Sequence, residues 1–481
     1  MFINTGLIIS APEIFLLTMS CLILLFGVFS KLNITKYSFY LAQITLIITA
    51  FLVARDFSLD AYVTTFGFSH LFVLDKLAVV LKIFIAISMV FTFWYSHLYN
   101  ETNGIPANEF YVLGLLATLG MMILVSASNI ITLFLGMELM SLPIYAMVAL
   151  MRGKSRCIEA AIKYFVIGAV ASGMMLYGLS LFFGATHSLD LSTIAKVIAT
   201  TPANQSLILY FGLVFVIAGI AFKLGAAPFH LWVPDVYDGA PNSVTLLISA
   251  APKLAAFGLA IRFLVDAVPG LELEWSHVLI VIALLSIGIG NVVAVVQTNI
   301  KRLLAYSSIA QIGFMILGLA CGTKRGDAAA FFYMATYALT SLGVFGMIVL
   351  LSKSGFEANE LSDFSGLHQR KPWLAFMMLL MMFSLAGIPP MVGFIAKVGI
   401  LEALIKAHSV WLAVVAIIFS IIGVYYYIRV VKVMYFENPL DSADKIHCSR
   451  NVTFAMTINS MAVLLLGIFP SQLFILCHSV F

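Results

Sequence analysis

The sequence predicts an all-α polytopic membrane protein with about 14 transmembrane helices. Of its 481 residues, 62% are hydrophobic and only 10% are charged, and the mean hydropathy is +1.08. A soluble domain carries about 25% charged residues, so a water-soluble surface is excluded. The apolar residues also fall into long runs of about 20, the length of a spanning helix. Barrel strands would instead alternate apolar and polar residues over about ten positions.

Fourteen apolar runs define the predicted spans, and only Ser126–Asn129 separates the fourth from the fifth. In chain order the runs are Leu7–Phe29, Ser38–Val53, Leu71–Phe93, Phe110–Val125, Ile130–Leu150, Cys157–Phe183, Leu207–Trp232, Ser243–Val265, Val278–Val296, Leu303–Ala320, Ala328–Leu351, Leu374–Ile405, Val410–Tyr435 and Phe454–Leu476. No connection is long enough for a soluble catalytic domain. We therefore expect one membrane domain over residues 1–481.

Lys and Arg are unevenly distributed among the connections between these runs. Fourteen lie in or beside odd-numbered connections, among them Lys31, Lys353 and Lys445, and six lie in or beside even-numbered ones, among them Arg262. Because basic residues accumulate on the cytoplasmic side, the odd connections are expected to face the cytoplasm. Both termini then lie on the opposite, periplasmic side.

Helix-breaking residues interrupt two of the predicted spans. Gly225 and Pro228 lie in the seventh, and Gly387, Pro389 and Pro390 lie in the twelfth. The breaks are 161–162 residues apart, so helices 4–8 and 9–13 are predicted to form two five-helix repeats, the second inverted. Corresponding breaks in inverted repeats indicate a transport site. The alternative is that Pro and Gly are simply commoner in membrane helices.

This repeat divides the single membrane domain into four segments. We expect three N-terminal helices over residues 1–105 and the first repeat over residues 106–270. The second repeat would cover residues 271–440, and a C-terminal helix residues 441–481.

Among the ionisable side chains inside the predicted spans, four are the hardest to explain as ordinary helix-end charges, namely Glu138, Lys223, Lys253 and Lys397. A charge at the bilayer centre costs roughly 2.5–3.5 kcal/mol, so the presence of these charges requires a structural or functional explanation. One interpretation is a structural Glu–Lys pair, which is cheaper to bury than either ion alone. The other is a proton relay, in which movement of Glu138 relative to Lys223 loads and unloads a proton.

Weaker candidates lie near this set. His230 follows Lys223 by seven residues and either extends the relay or is a structural histidine. Glu159 and Lys163 are spaced i,i+4, which favours a pair along the sixth helix over a link in the relay.

Charges near the predicted span ends have simpler interpretations. Asp75, Lys76 and Lys82 at the start of the third helix are expected to face interfacial water, and Glu13 either pairs or lies near the interface.

Composition gives no sign of a nucleic-acid surface, a metal centre or a bound cofactor. The net charge is only +4, and no basic block of the kind that binds nucleic acid is present. The five cysteines are scattered singly without a CxxC pair, so we interpret them as core residues.

Several segments resemble the antiporter-like membrane subunits of respiratory complex I, and the resemblance covers nearly the whole chain. The matching segments include the broken seventh helix, the fifth-helix glutamate motif and the broken twelfth helix. They are AFKLGAAPFHLWVPDVYDGAP (Ala221–Pro241), LGMELMSLPIYAMVAL (Leu135–Leu150), IEAAIKYFVIGAVASGMMLYG (Ile158–Gly178), LAYSSIAQIGFM (Leu304–Met315) and SLAGIPPMVGFIAK (Ser384–Lys397). The wording around the seventh helix is closest to one of the three such subunits of that complex.

The resemblance implies a proton-translocating subunit of an NADH:quinone oxidoreductase in a bacterial inner (plasma) membrane. Glu138 and Lys223 would form the switching pair, Lys253 the central relay and Lys397 the outward exit. No cofactor is expected on this chain; FMN, Fe–S clusters and quinone would belong to partner subunits. The expected partners are other membrane subunits, including the other antiporter-like ones, and through them the hydrophilic NADH-oxidising arm.

Two other hypotheses for the function of the chain stay open. It could be a subunit of a multi-subunit Na⁺/H⁺ antiporter, since such subunits share the Glu and Lys pattern. It could also be a structural membrane subunit whose charges only fix assembly.

Overall fold

A computed structural model describes residues 2–30, 34–60, 64–200, 207–352, 356–439 and 450–481. Lys31, Lys353 and Lys445, which support the predicted orientation, lie outside these ranges. The described chain is mainly helical, with one two-stranded antiparallel ribbon of β1 (Thr65–Gly67) and β2 (Phe72–Leu74). This ribbon is the only β-sheet within the described ranges.

Up to residue 267, the described part of the chain contains twelve α-helices. They are α1 (Phe2–Ile9), α2 (Ala11–Phe29), α3 (Ile34–Asp60), α4 (Lys76–Thr102), α5 (Ala107–Val125), α6 (Ile130–Val148), α7 (Ser155–Thr186), α8 (Leu191–Thr200), α9 (Leu207–Leu224), α10 (Trp232–Gly239), α11 (Asn242–Ser249) and α12 (Ala251–Ala260), which a π-helical segment (Ile261–Ala267) continues.

The second half begins with a 3-10 turn (Pro269–Leu271) and has another at Leu361–Phe364. Its α-helices are α13 (Glu272–Val295), α14 (Ile300–Leu319), α15 (Lys324–Leu351), α16 (Leu367–Arg370), α17 (Pro372–Ala386), α18 (Val392–Lys406), α19 (Val410–Phe436), α20 (Arg450–Ile468) and α21 (Ser471–His478).

The membrane-protein prediction is confirmed. The described residues contain 13 helices long and apolar enough to cross a membrane. Each corresponds to one predicted span, and the remaining predicted span, the twelfth, is the pair of 15-residue helices α17 and α18. The narrow boundary between the fourth and fifth spans is also confirmed, because α5 ends at Val125 and α6 begins at Ile130.

Both predicted helix breaks are present. Helix α9 ends at Leu224 and Gly225 has φ +76°, while α17 ends at Ala386 and Gly387 has φ +79°. This left-handed conformation suits glycine, which lacks the Cβ that clashes there. Proline beyond each glycine prevents the helix from continuing.

A third break, in the eighth span, is absent from the prediction, which treated Ser243–Val265 as one helix. The chain stops being helical at Ala250, with φ −125° and ψ −80°, between α11 and α12. Pro252 has no N–H to continue the helical hydrogen bonds across this point. At the same break, the Ser249 carbonyl accepts a hydrogen bond from Ser341 Oγ of α15 at 3.2 Å.

The chain forms two compact units, each built from three separate stretches of the sequence. The first unit comprises Met1–Phe93, Gly104–Leu224 and Ala251–Trp275, and the second comprises Trp94–Asn103, Gly225–Ala250 and Ser276–Phe481. Two of the three helix breaks, those at Gly225 and Ala250, lie at points where the chain passes between the units.

One local feature recurs in both units. In the first unit, Asn129 caps α6 and forms an isolated β-bridge with Asp190. In the second, Asn299 caps α14 and forms the same bridge with Glu360, and both residues lie 170 positions later. This recurrence agrees with an internal repeat, and the inversion of the second repeat stays a prediction.

Candidate functional site

Glu138 lies at the middle of α6, the fifth span, where the sequence predicts it. Its carboxylate is half-buried and accepts a hydrogen bond from Ser172 Oγ of α7. Asn129 is the N-cap of α6, and its Oδ1 accepts a hydrogen bond from the Ile131 N–H at 2.9 Å. The cap fixes where α6 begins and so at which turn Glu138 lies.

Lys223 lies in the last turn of α9, next to the first break. Its Nζ donates to Ser141 Oγ at 2.8 Å and to Tyr145 OH at 3.3 Å. Ser141 and Tyr145 follow Glu138 by three and seven residues, so all three share one face of α6. Between the described Glu138 and Lys223 side chains no ion pair within 4.0 Å is formed. The structure thus brings the ammonium and the carboxylate to one helix face, with Ser141 between them along the helix.

Lys253 lies in the first turn of α12, directly after the break at Ala250. It is 2% exposed, and α12 packs against α5 and α9 of the same unit. The predicted span Ser243–Val265 places Lys253 near the middle of one unbroken helix. That placement is wrong because the eighth span is interrupted three residues earlier.

Lys397 lies in α18 but bonds to the end of α17. Its Nζ donates to the Ala386 carbonyl at 3.0 Å and to Ser420 Oγ of α19 at 2.9 Å. Ala386 is the last residue of α17, whose terminal carbonyls have no partner within the helix. The second break therefore provides an acceptor for a half-buried cation.

His230 is buried in the non-helical segment between α9 and α10, and its Nδ1 has no hydrogen-bond partner among the described residues. Because the helix ends at Leu224, the seven-residue spacing does not place His230 on a helical face with Lys223.

Glu159 and Lys163 form the i,i+4 pair that their spacing favours, with Nζ and Oε1 2.8 Å apart. Their side chains are 65% and 44% exposed, so the pair lies on the surface of α7.

The expectation that Lys82 faces interfacial water is wrong. Lys82 is buried and pairs with Glu13 at 2.6 Å, which places Glu13 in a buried ion pair. Asp75 accepts two hydrogen bonds from Arg262, each 2.7 Å long. Burial raises the pKa of the Asp75 carboxyl, but the Arg262 guanidinium more than offsets this and holds that pKa below its ordinary value.

Arg262, which the sequence analysis counted beside an even-numbered connection at the end of the eighth span, is buried within the span Asn242–Ala267. Besides Asp75, it binds Asp266 at 3.0 Å and donates from Nε to the Val125 carbonyl at 3.0 Å. These bonds join α5, the residue preceding α4 and the end of the eighth span within the first unit.

The hydroxyl partners of the half-buried charges were not predicted. Ser172, Ser141, Tyr145 and Ser420 are ordinary residues of apolar helices in the sequence. The only available signal was the i+3 and i+7 spacing of Ser141 and Tyr145 from Glu138. Within the described ranges, no group of three or more His, Cys, Asp and Glu side chains could hold a metal ion.

Comparisons with known proteins agree with this architecture. A sequence model of the family described as NADH:quinone oxidoreductase/Mrp antiporter, TM, matches residues 127–423. NADH-quinone oxidoreductase subunit N from Coxiella burnetii is 59% identical over 473 residues, covering 98% of both chains.

Solved structures match over almost the full length. A chain of respiratory complex I from Thermus thermophilus with bound aureothin has a TM-score of 0.82 at 28% identity, covering 96% of this chain and 98% of that chain. A chain of the Mrp complex from Dietzia sp. DQ12-45-1b has a TM-score of 0.87 at 18% identity, covering 98% of this chain and 96% of that chain, which is a likeness of fold.

The helix count, the breaks and the charges beside them define a polytopic membrane subunit of the antiporter-like class. The chain belongs to the NADH:quinone oxidoreductase/Mrp antiporter family, in the branch formed by subunit N of NADH-quinone oxidoreductase.

Proposed function

We propose that this chain is a proton-translocating membrane subunit of an NADH:quinone oxidoreductase, and that Glu138, Lys223, Lys253 and Lys397 carry the proton. The full-length similarity to subunit N supports the subunit assignment. The observation that carries the relay is that Lys223 donates to Ser141, on the face of α6 that also holds Glu138.

The geometry at Lys223 suits a reversible proton carrier. An ion pair in direct contact would hold the proton on the lysine, since each charge stabilises the other. Here neutral hydroxyls hold the ammonium, and Glu138 is bonded to Ser172 of α7. A small shift of α6 relative to α9 would change the distance between the charges and so the proton affinity of Lys223.

Lys253 and Lys397 take the later steps of this relay. Lys253 is buried on α12, which packs against α9, the helix that carries Lys223. Lys397 is held at the second break by the Ala386 carbonyl and Ser420 and would release the proton outward. His230 is a candidate extension. The exposed pair of Glu159 and Lys163 is assigned a structural role.

The redox chemistry belongs to partner subunits. NADH oxidation, FMN, the Fe–S clusters and quinone are assigned to the hydrophilic arm and its junction with the membrane, and this chain supplies only titratable side chains. The proposed location is the bacterial inner (plasma) membrane with both termini on the periplasmic side, which rests on the distribution of Lys and Arg. The two predicted five-helix repeats, residues 106–270 and 271–440, are proposed to be inverted relative to each other.

A second candidate is a subunit of a Na⁺/H⁺ antiporter, which the shared fold with the Dietzia Mrp complex favours. Purification of the tagged chain from its native membrane separates the two. We expect co-purification with FMN- and Fe–S-containing subunits and proton pumping that needs NADH and quinone but not Na⁺. Sodium-dependent transport by a complex lacking those subunits would establish the antiporter instead.

A further inference from the structure

The second unit contains a buried hydrogen-bonded network centred on a neutral residue, Gln311 of α14. Its Nε2 donates to the Leu385 carbonyl and to Tyr427 OH, both at 2.9 Å. Its Oε1 accepts a hydrogen bond from Tyr333 OH. Tyr427 OH in turn lies 2.5 Å from Ser307 Oγ. Gln311 is 5% exposed, so these bonds are shielded from solvent.

Both N–H donors and the carbonyl oxygen of the Gln311 amide are hydrogen-bonded. A primary amide has two N–H donors and one carbonyl acceptor, and here the donors go to Leu385 and Tyr427 while the acceptor takes the Tyr333 proton. A carboxylate of the same shape would have no proton for Leu385, and an aliphatic side chain would satisfy none of the three.

The network ends at the broken helix that holds Lys397. Leu385 and Ala386 are the last two residues of α17, and their carbonyls lack partners within the helix. Gln311 binds the first carbonyl, and the Lys397 ammonium binds the second. Since the two carbonyls are adjacent on one backbone, the position of one restrains the other.

We propose that Gln311 is a positioning residue for Lys397, holding the end of α17 so that the Ala386 carbonyl stays on the ammonium. This inference rests on the proposed role of Lys397 in the proton relay. Gln311 itself carries no proton; it acts through the backbone of the second break.

The surroundings of both residues define what a pH-dependent test will report. Gln311 faces Tyr333 of α15 and Tyr427 of α19, and Tyr337 of α15 lines the same small cavity. The Lys397 ammonium contacts the Ala386 carbonyl, the Ser420 hydroxyl and the Phe314 ring. None of these groups changes charge near neutral pH.

The cavity beside Gln311 has a volume of about 10 Å³, room for no more than one water. A carboxylate placed there would therefore be poorly solvated, whereas a protonated carboxyl fits in place of the amide and regains one donor for Leu385.

The test uses the assembled complex in vesicles, with NADH-driven proton pumping measured per assembled complex at several pH values. Gln311→Leu is expected to lower pumping about five- to tenfold, because among the three lost hydrogen bonds the one to the Leu385 carbonyl holds the end of α17, and this factor should not vary with pH. Gln311→Glu is expected to show a similar loss at alkaline pH and to recover toward the wild type as the pH falls. The matched control is Gln43→Leu, since Gln43 is a buried glutamine that donates to the Val90 carbonyl away from any break.

The Gln311→Glu pH profile is decisive because a general packing defect would not recover with protonation, and it remains readable if Gln311→Leu does not assemble. A Gln311→Glu variant that pumps like the wild type at every pH, or whose loss does not depend on pH, would overturn the inference. A Lys397→Met variant distinguishes failure of the Gln311 positioning role from failure of the proposed function. Loss of pumping in Lys397→Met with normal Gln311 variants refutes only the positioning role, and normal pumping in Lys397→Met refutes both.

Discussion

The Lys397 ammonium and the last turn of α9, which carries Lys223, both lie at the carboxyl-terminal end of a half-helix. Such an end carries a partial negative charge and unpaired carbonyls, and it stabilises a cation by about 0.3–1 kcal/mol. Lys253 instead lies in the first turn of α12, where the helix end is partially positive. Along the proposed relay, the local helix end therefore favours a proton at Lys223 and at Lys397 and disfavours one at Lys253.

The charged residues of the candidate site could be located from the sequence because a charge in an apolar run is conspicuous. Their partners could not be located, because Ser141 meets Lys223 only through the register of α6 against α9. For the same reason, the burial of Lys82 and Arg262 was not predicted: their ion pairs join residues far apart in the chain.

Arg262→Gln is expected to destabilise the first unit by about 3 kcal/mol, because it leaves Asp75 without its buried cation. The measurement is the thermal transition of the purified complex together with the fraction of chain assembled. Arg152→Gln is the control, since Arg152 is exposed and should change neither quantity. An Arg262→Gln complex as stable as the control would show that the ion pair does not hold the unit together.

Helix elements were predicted well wherever the residues themselves dictate the backbone. Gly387 with two following prolines gave the second break, because no helix continues through them. The break at Ala250 was signalled only by Pro252, and a proline near a helix start is compatible with an unbroken helix. The break also depends on Ser341 of α15, whose Oγ donates a hydrogen bond to the Ser249 carbonyl. A single segment of sequence does not reveal this contact.

The close approach of α18 to α17 needs a glycine at Gly393, because a Cβ there would lie 1.9 Å from the Ser384 carbonyl oxygen. Gly393→Ala should force the helices apart at a cost of about 1–3 kcal/mol and move Lys397, and proton pumping per assembled complex should fall. Gly173→Ala on α7 has open space around it and should leave pumping unchanged. Equal pumping by both variants would contradict a role for the helix contact at the second break.

At the scale of the whole molecule, composition alone predicted the class, because a chain with 10% charged residues has too few to cover a soluble surface. The division into two compact units is not visible in the sequence. Residues 94–103 and 225–250 belong to the second unit although their chain neighbours belong to the first, and only long-range packing determines that.

The predicted orientation of the chain in the membrane can be tested separately. A short protease-cleavable tag at either end should be cut in spheroplasts, whose periplasmic surface faces outward, and protected in inverted vesicles. The reason is the excess of Lys and Arg in odd-numbered connections. Cleavage of either tag only in inverted vesicles would reverse the assignment.

The most direct test of the relay is NADH-driven proton pumping by assembled complexes that carry Lys223→Ala or Glu138→Ala. Glu402→Ala and Lys406→Ala are matched controls, because those residues form an exposed i,i+4 pair on α18. We expect both relay variants to assemble and to lose most pumping and most coupled quinone reduction, while the controls keep both. Wild-type pumping per assembled complex in Lys223→Ala and Glu138→Ala would contradict the relay and leave these charges with a structural role.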